Sequence, residues 1–172
     1  MTKLDLASAR VLIVGAKGHA GPTLRTVLTA AGITRITMVD DPRRALDTLC
    51  SERFAAVFVE GGTELDGLSF AQAARRCPSL LNPMIPIFVV YGGARRRDVE
   101  RSRDDGVTDV ICRPMSPRTV SDKLRAALSA PRPFIAAPEF FGPDRRAKER
   151  PWRGEDRRKL TPRKTKVILD MD

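Results

Sequence analysis

Long apolar runs are what this 172-residue sequence most plainly lacks. No stretch approaches the roughly 18 apolar residues of a membrane-spanning helix, so no membrane insertion is expected. The opening Met1-Thr2-Lys3-Leu4-Asp5 has no signal-peptide core, which points to a cytoplasmic protein. Histidine occurs once, at His19, too few for a histidine-built metal site and with nothing nearby to make a triad. Cysteine occurs three times, at Cys50, Cys77 and Cys112, an odd number without metal-ligand spacing. Reduced, mostly buried thiols are the reading that such usage favours. No catalytic constellation stands out, so a protein that binds rather than catalyses is expected.

Charge, by contrast, is abundant and uneven. The net charge is +10, and residues 131–172 hold 12 Lys/Arg against 7 Asp/Glu. Within residues 143–166 the count is 11 against 4, a net of +7. A cationic concentration of this kind favours an anionic partner such as a phosphate, a nucleotide, a nucleic acid or an acidic surface. A solvated tail that only keeps the protein in solution is the plainer alternative.

Residues 1–130 alternate between two periods. Val11–Val14, Ile36–Val39, Ala56–Val59, Ile85–Val90 and Asp109–Cys112 are short apolar runs suited to buried parallel strands. Between them lie helical patterns. Leu24, Val27, Leu28 and Ala31 share one face after Pro22, and Ala45, Leu46, Leu49 and Cys50 do so after Asp41-Pro42. Helices are also predicted near Ser69–Arg76 and Asp98–Asp104, and after Ser116-Pro117, where Val120, Leu124, Ala127 and Leu128 face inward. Strands alternating with helices predict a parallel sheet covered on both faces. From residue 131 the texture changes: Pro131, Pro133, Pro138, Pro143, Pro151 and Pro162 interrupt any helix. An irregular, largely flexible extension over 131–172 is expected, with Val167-Ile168-Leu169 as one short strand candidate.

Several local sequences resemble the CheY-like response-regulator receiver family. They are Asp40-Asp41-Pro42 after the second strand, Leu65-Asp66-Gly67-Leu68 after the third, and Arg113-Pro114-Met115-Ser116-Pro117 after the fifth. The resemblance implies a doubly wound α/β fold, a five-stranded parallel sheet in the order 2-1-3-4-5, and a cis Arg113-Pro114 bond. A phosphorylated receiver holds Mg²⁺ on carboxylates and steadies the phosphoryl group with a hydroxyl and a lysine. Here the acidic pair falls on Gly15 and Ala16, the acceptor aspartate on Glu60, the hydroxyl on Tyr91 and the lysine on Arg113. The family's aromatic switch position is Val110. The resemblance is thus to a degenerate receiver without Mg²⁺ or phosphotransfer, in which Glu60 could pair with Arg113 and mimic a permanently active state.

Gly15-x-x-Gly18-x-x-Gly21, with Asp40 about twenty residues on, has the layout of a dinucleotide site. Against that reading, little chain remains for a substrate half and no hydride-transfer machinery is visible. The extension interleaves aromatics, carboxylates and arginine pairs, which suits a guanine nucleotide. Arginine forks onto guanine or phosphate, and aromatics stack for about 1–3 kcal/mol per base. A receiver-like domain with such a tail also resembles the Cle group of bacterial effectors, which bind cyclic di-GMP and act on the flagellar motor switch. That resemblance implies a nucleotide site at Asp144, Arg145, Arg146, Arg150, Trp152, Arg153, Asp156, Arg157 and Arg158. A ligand-independent adaptor contacting a histidine kinase or motor component, and a tail binding nucleic acid, are the alternatives. Asp144, Glu149, Glu155 and Asp156 weigh against a polyphosphate backbone.

Overall fold

A computed structural model of the chain describes residues 5–15, 20–62, 67–93, 96–137, 140–145 and 163–165. Five parallel strands carry the fold: β1 (Arg10–Val14), β2 (Arg35–Val39), β3 (Ala56–Gly61), β4 (Ile87–Tyr91) and β5 (Asp109–Cys112). Five helices connect and follow them: α1 (Ala20–Ala30), α2 (Pro42–Ser51), α3 (Gly67–Arg76), α4 (Arg96–Asp104) and α5 (Pro117–Ser129). The sheet order is β2-β1-β3-β4-β5, a doubly wound arrangement.

Period-two alternation sorts each strand between two cores. Leu12, Val14, Val57, Val59 and Val89 join Leu49, Phe70 and Ala71 in a cluster beneath α2 and α3. Val11, Ile13, Phe58, Phe88 and Val90 join Leu24, Leu28, Val120 and Leu124 beneath α1 and α5. Because both faces are covered, the strands read as continuous apolar runs. Sequence-local caps set the helix starts: Asp41 Oδ1 accepts from the N–H of Arg43 (2.7 Å) and Arg44 (3.2 Å), and Ser116 Oγ accepts from Thr119 N–H (3.1 Å). β4 begins at Ile87 rather than Ile85, since Pro86 has no N–H to give and offers only its carbonyl to Val57 N–H (2.8 Å). No helix among the described residues is long and apolar enough to cross a membrane.

The extension departs from the irregular segment expected after residue 130. Two strands, β6 (Phe134–Ala137) and β7 (Phe140–Pro143), pair antiparallel, and β8 (Arg163–Thr165) pairs with the other side of β6. One of the prolines that argued for irregularity, Pro143, fits this sheet. Pro143 ends β7, an edge strand in the order β7-β6-β8, where a missing N–H breaks no ladder. Phe134 is 3% exposed and carries the guanidinium of Arg75 5.0 Å from its ring centroid. Arg75 is itself buried, donating through Nε to Gly106 O (3.0 Å) and through Nη1 to Pro83 O (2.8 Å). Gly106 has a left-handed φ of +74°, and a Cβ there would meet Phe141 O at 2.7 Å and Arg75 Cγ at 2.9 Å. Only glycine admits both neighbours. Contacts between the extension and the five-stranded unit thus run past residue 130 as far as Arg145. Val167-Ile168-Leu169 lies outside the described residues.

Candidate functional site

Parallel register brings the C-terminal ends of the strands to one edge of the sheet. Val14 pairs with Val39 and Val59, Glu60 with Val90, and Gly61 and Cys112 with Tyr91. Arg113 N–H then donates to Tyr91 O (2.8 Å), placing its side chain at the same edge. The strand order reverses between β1 and β3, the position at which open α/β sheets place their sites. Gly15, Glu60, Tyr91 and Arg113 converge here; Ala16 lies outside the described residues.

An ion pair dominates this edge. Arg113 Nη2 donates to Glu60 Oε1, with the Glu60 side chain 1% exposed and that of Arg113 25% exposed. Burial pushes the Glu60 carboxyl above the usual carboxylate range, and the Arg113 guanidinium draws it part of the way back. Tyr91 is buried, at 5% exposed. Its ring packs over Gly61, where a Cβ would lie 2.6 Å from Tyr91 Cε1 and 2.7 Å from Val89 Cγ1. Tyr91 thus belongs to the cluster beneath α3, and Gly61 is required by that close approach. Val110 is half-buried against the same cluster.

These residues make a poor cation site. Gly15 contributes no side-chain oxygen, and its N–H is bonded to Val39 O (3.1 Å). Asp41 is occupied by the α2 cap, and Glu60, the buried carboxylate among the described residues, is engaged by a guanidinium. A hard divalent ion needs about six oxygen ligands, and a guanidinium within the would-be shell repels it. Among the described residues no group of three His, Cys, Asp or Glu could hold a metal ion. Among the described residues of this edge, magnesium finds no buried carboxylate free of a guanidinium.

Solved structures share this architecture. The receiver domain of a sensor histidine kinase from Pseudomonas aeruginosa, described with magnesium in its active-site cleft, matches at 21% identity and a TM-score of 0.60. The match covers 71% of this chain and 98% of that one. The chemotaxis protein CheY4 of Vibrio cholerae matches at 21% identity and a TM-score of 0.60, over 70% of this chain and 98% of that one. This chain has the receiver fold. A histidine-kinase receiver domain from Syntrophus aciditrophicus matches likewise, at 24% identity and a TM-score of 0.58, over 70% of this chain and 90% of that one. No family model matches the sequence, and no curated relative does.

Of the nine residues expected to form a nucleotide site, the structure describes Asp144 and Arg145. Both sit at the foot of the β6–β7 pair. Asp144 N–H donates to Pro133 O (2.7 Å), and Arg145 Nη2 donates to Val107 O with Thr108 O at 3.5 Å. In this arrangement Arg145 fastens the extension to the receiver fold at the α4–β5 connection. Arg146, Arg150, Trp152, Arg153, Asp156, Arg157 and Arg158 lie outside the described residues, as do His19 and Gly18 of the glycine-rich loop.

Two features escaped the sequence reading. A cavity of about 400 Å³ lies between α5 and the β6–β7 pair, lined by Met84, Phe88, Ala127, Phe134 and Pro143, with the Lys123–Asp109 ion pair on its wall. Cys50 and Cys77, read as scattered thiols, face one another with Sγ atoms 3.7 Å apart. Cys112 is exposed rather than buried, at the end of the edge strand β5. Cavity and thiol contact both arise between residues distant in sequence, so no local pattern announces them.

Proposed function

We propose that this receiver-fold protein signals without phosphotransfer and takes its input through the arginine-rich extension, which binds cyclic di-GMP. The observation that supports the first half is the Glu60–Arg113 ion pair, in which a guanidinium already engages the carboxylate at the position read as the acceptor. A buried carboxylate already neutralised by a guanidinium is a weak nucleophile and a poor cation ligand. The pair holds the β3 and β5 ends together in one fixed state.

The second half rests on charge and attachment. The 11 Lys/Arg against 4 Asp/Glu in residues 143–166 suit a dianionic ligand, and the interleaved carboxylates suit a guanine edge. Arg145 and the Arg75–Phe134 stack fix the start of that stretch to α3 and the α4–β5 connection. Ordering the arginine-rich residues around a ligand would therefore act on this corner of the domain, and through it on a protein partner. A flagellar motor switch component or a histidine kinase is the partner class that the receiver-like architecture suits. The protein is read as a binding protein without catalytic activity of its own.

Calorimetric titration of the full chain with cyclic di-GMP tests the ligand. Saturable heat in the micromolar range, unaltered by a magnesium chelator, is the expected result. Absence of heat at tens of micromolar ligand would remove the nucleotide and leave a ligand-independent adaptor. A nucleic-acid complex that survives excess cyclic di-GMP would reassign the extension to a polyphosphate backbone.

A further inference from the structure

Two thiols meet beneath α2 and α3. Cys50 is the penultimate residue of α2, and Cys77 directly follows α3. Both are half-buried and pack against the cluster of Leu49, Phe54, Ala74 and Leu80. Their Sγ atoms are 3.7 Å apart, which is van der Waals contact. The backbone on either side is already tied, because Leu81 N–H donates to Leu49 O (3.4 Å).

We infer that Cys50 and Cys77 form an oxidisable dithiol site, at which a hydroperoxide installs a reversible intramolecular disulfide joining α2 to the α3–β4 connection. A disulfide places its sulfurs about 2.05 Å apart, so from 3.7 Å each has under about 1 Å to travel. In the first step one thiolate attacks a peroxide oxygen: an S–O bond forms, the O–O bond breaks, and hydroxide leaves and takes up a proton. The second thiol then attacks the sulfenic sulfur: the S–S bond forms, the S–O bond breaks, and the thiol proton leaves with the hydroxyl as water. Two thiols are oxidised and one hydrogen peroxide is reduced to two waters. Burial raises the Cys50 thiol above its ordinary pKa, with the neighbouring Cys77 and Asp47 acting in the same direction. Little thiolate is then present at neutral pH, so the site is a slow responder rather than a peroxidase.

Partial burial also steers the product. Hydrogen peroxide is small enough to reach a half-buried sulfur, whereas a second protein chain is not, so the neighbouring thiol is the resolving group at hand. Cys112, exposed at the end of β5, serves as an internal control for oxidation at the surface.

The test treats the full-length protein with hydrogen peroxide, blocks the remaining thiols with iodoacetamide, and digests with trypsin. The expected product joins peptides 45–53 and 77–95 through Cys50 and Cys77, two hydrogens lighter than their sum and split by dithiothreitol. The oxidised protein should melt several degrees higher than the reduced one, a gain that Cys77→Ser abolishes along with the joined peptide. Recovery of Cys50 and Cys77 both alkylated, or as separate sulfinic acids, would overturn the proposal. Oxidation confined to dimers linked through Cys112 would overturn it as well.

Discussion

Replacing Arg113 by alanine is the sharpest perturbation the site offers. The change removes the partner of Glu60, whose side chain is 1% exposed, and leaves a carboxylate with almost no access to water. Removing one member of a buried ion pair typically costs 3–5 kcal/mol. Arg113 is itself 25% exposed, so its removal opens a path for water and the lower end of the range applies, about 3 kcal/mol at pH 7. That is roughly two powers of ten in the folded-to-unfolded ratio. The cost also carries a pH signature. Glu60 already has a folded pKa above its unfolded value, and without the guanidinium it rises further. An acid raised in this way contributes stability that is fully present below its unfolded pKa of about 4.3 and is lost as pH rises through the folded pKa. The variant and the parent should therefore differ least near pH 4, where both carry a protonated Glu60, and diverge as pH rises. Urea unfolding of the two proteins across pH 4–8 measures this, and the double variant Glu60→Gln, Arg113→Ala should recover most of the loss at pH 7. A loss that is equal at both ends of that range, or that the double variant does not relieve, would refute the argument.

Other outcomes follow from single contacts. Phe134→Ala removes the ring that covers Arg75 and should cost about 3 kcal/mol, with faster hydrogen exchange in residues 134–143. Gly61→Ala drives a methyl into Tyr91 and Val89 and should cost about 1–3 kcal/mol in thermal unfolding, part of it recovered by adding Tyr91→Ser. Asp41 is held below the ordinary carboxylate range by the N–H groups of Arg44 and Arg43, so its cap stabilises above the unfolded pKa and is lost as pH falls through the folded value. Asp41→Asn keeps an acceptor without the titration, and should flatten the acid limb of the stability curve.

The receiver fold was legible because its signals are local. Runs such as Val11–Val14, the Asp41 and Ser116 caps, and prolines at helix starts each sit within a few residues of what they specify. The meeting of Glu60 and Arg113 could be anticipated only through the resemblance to receivers, since 53 positions separate them. What escaped was long-range. Arg75 stands beside Arg76 in the last turn of α3 and reads as surface charge; it is buried because Gly106 leaves room for its stem and Phe134 roofs it. The β6–β7 pair was hidden by the prolines around it, of which Pro143 lies at the end of an edge strand, where the ladder does not need its N–H. Tyr91 occupies a position that suggests a hydroxyl at the site, yet its ring needed an apolar bed, which Gly61 provides.

Incubation of the full-length protein with acetyl phosphate and Mg²⁺, followed by intact-mass measurement, bears most directly on the claim of signalling without phosphotransfer. The expected result is an unchanged mass, with Glu60 still engaged by Arg113. Stoichiometric addition of one phosphoryl group, mapped to Glu60 and dependent on Mg²⁺, would contradict it.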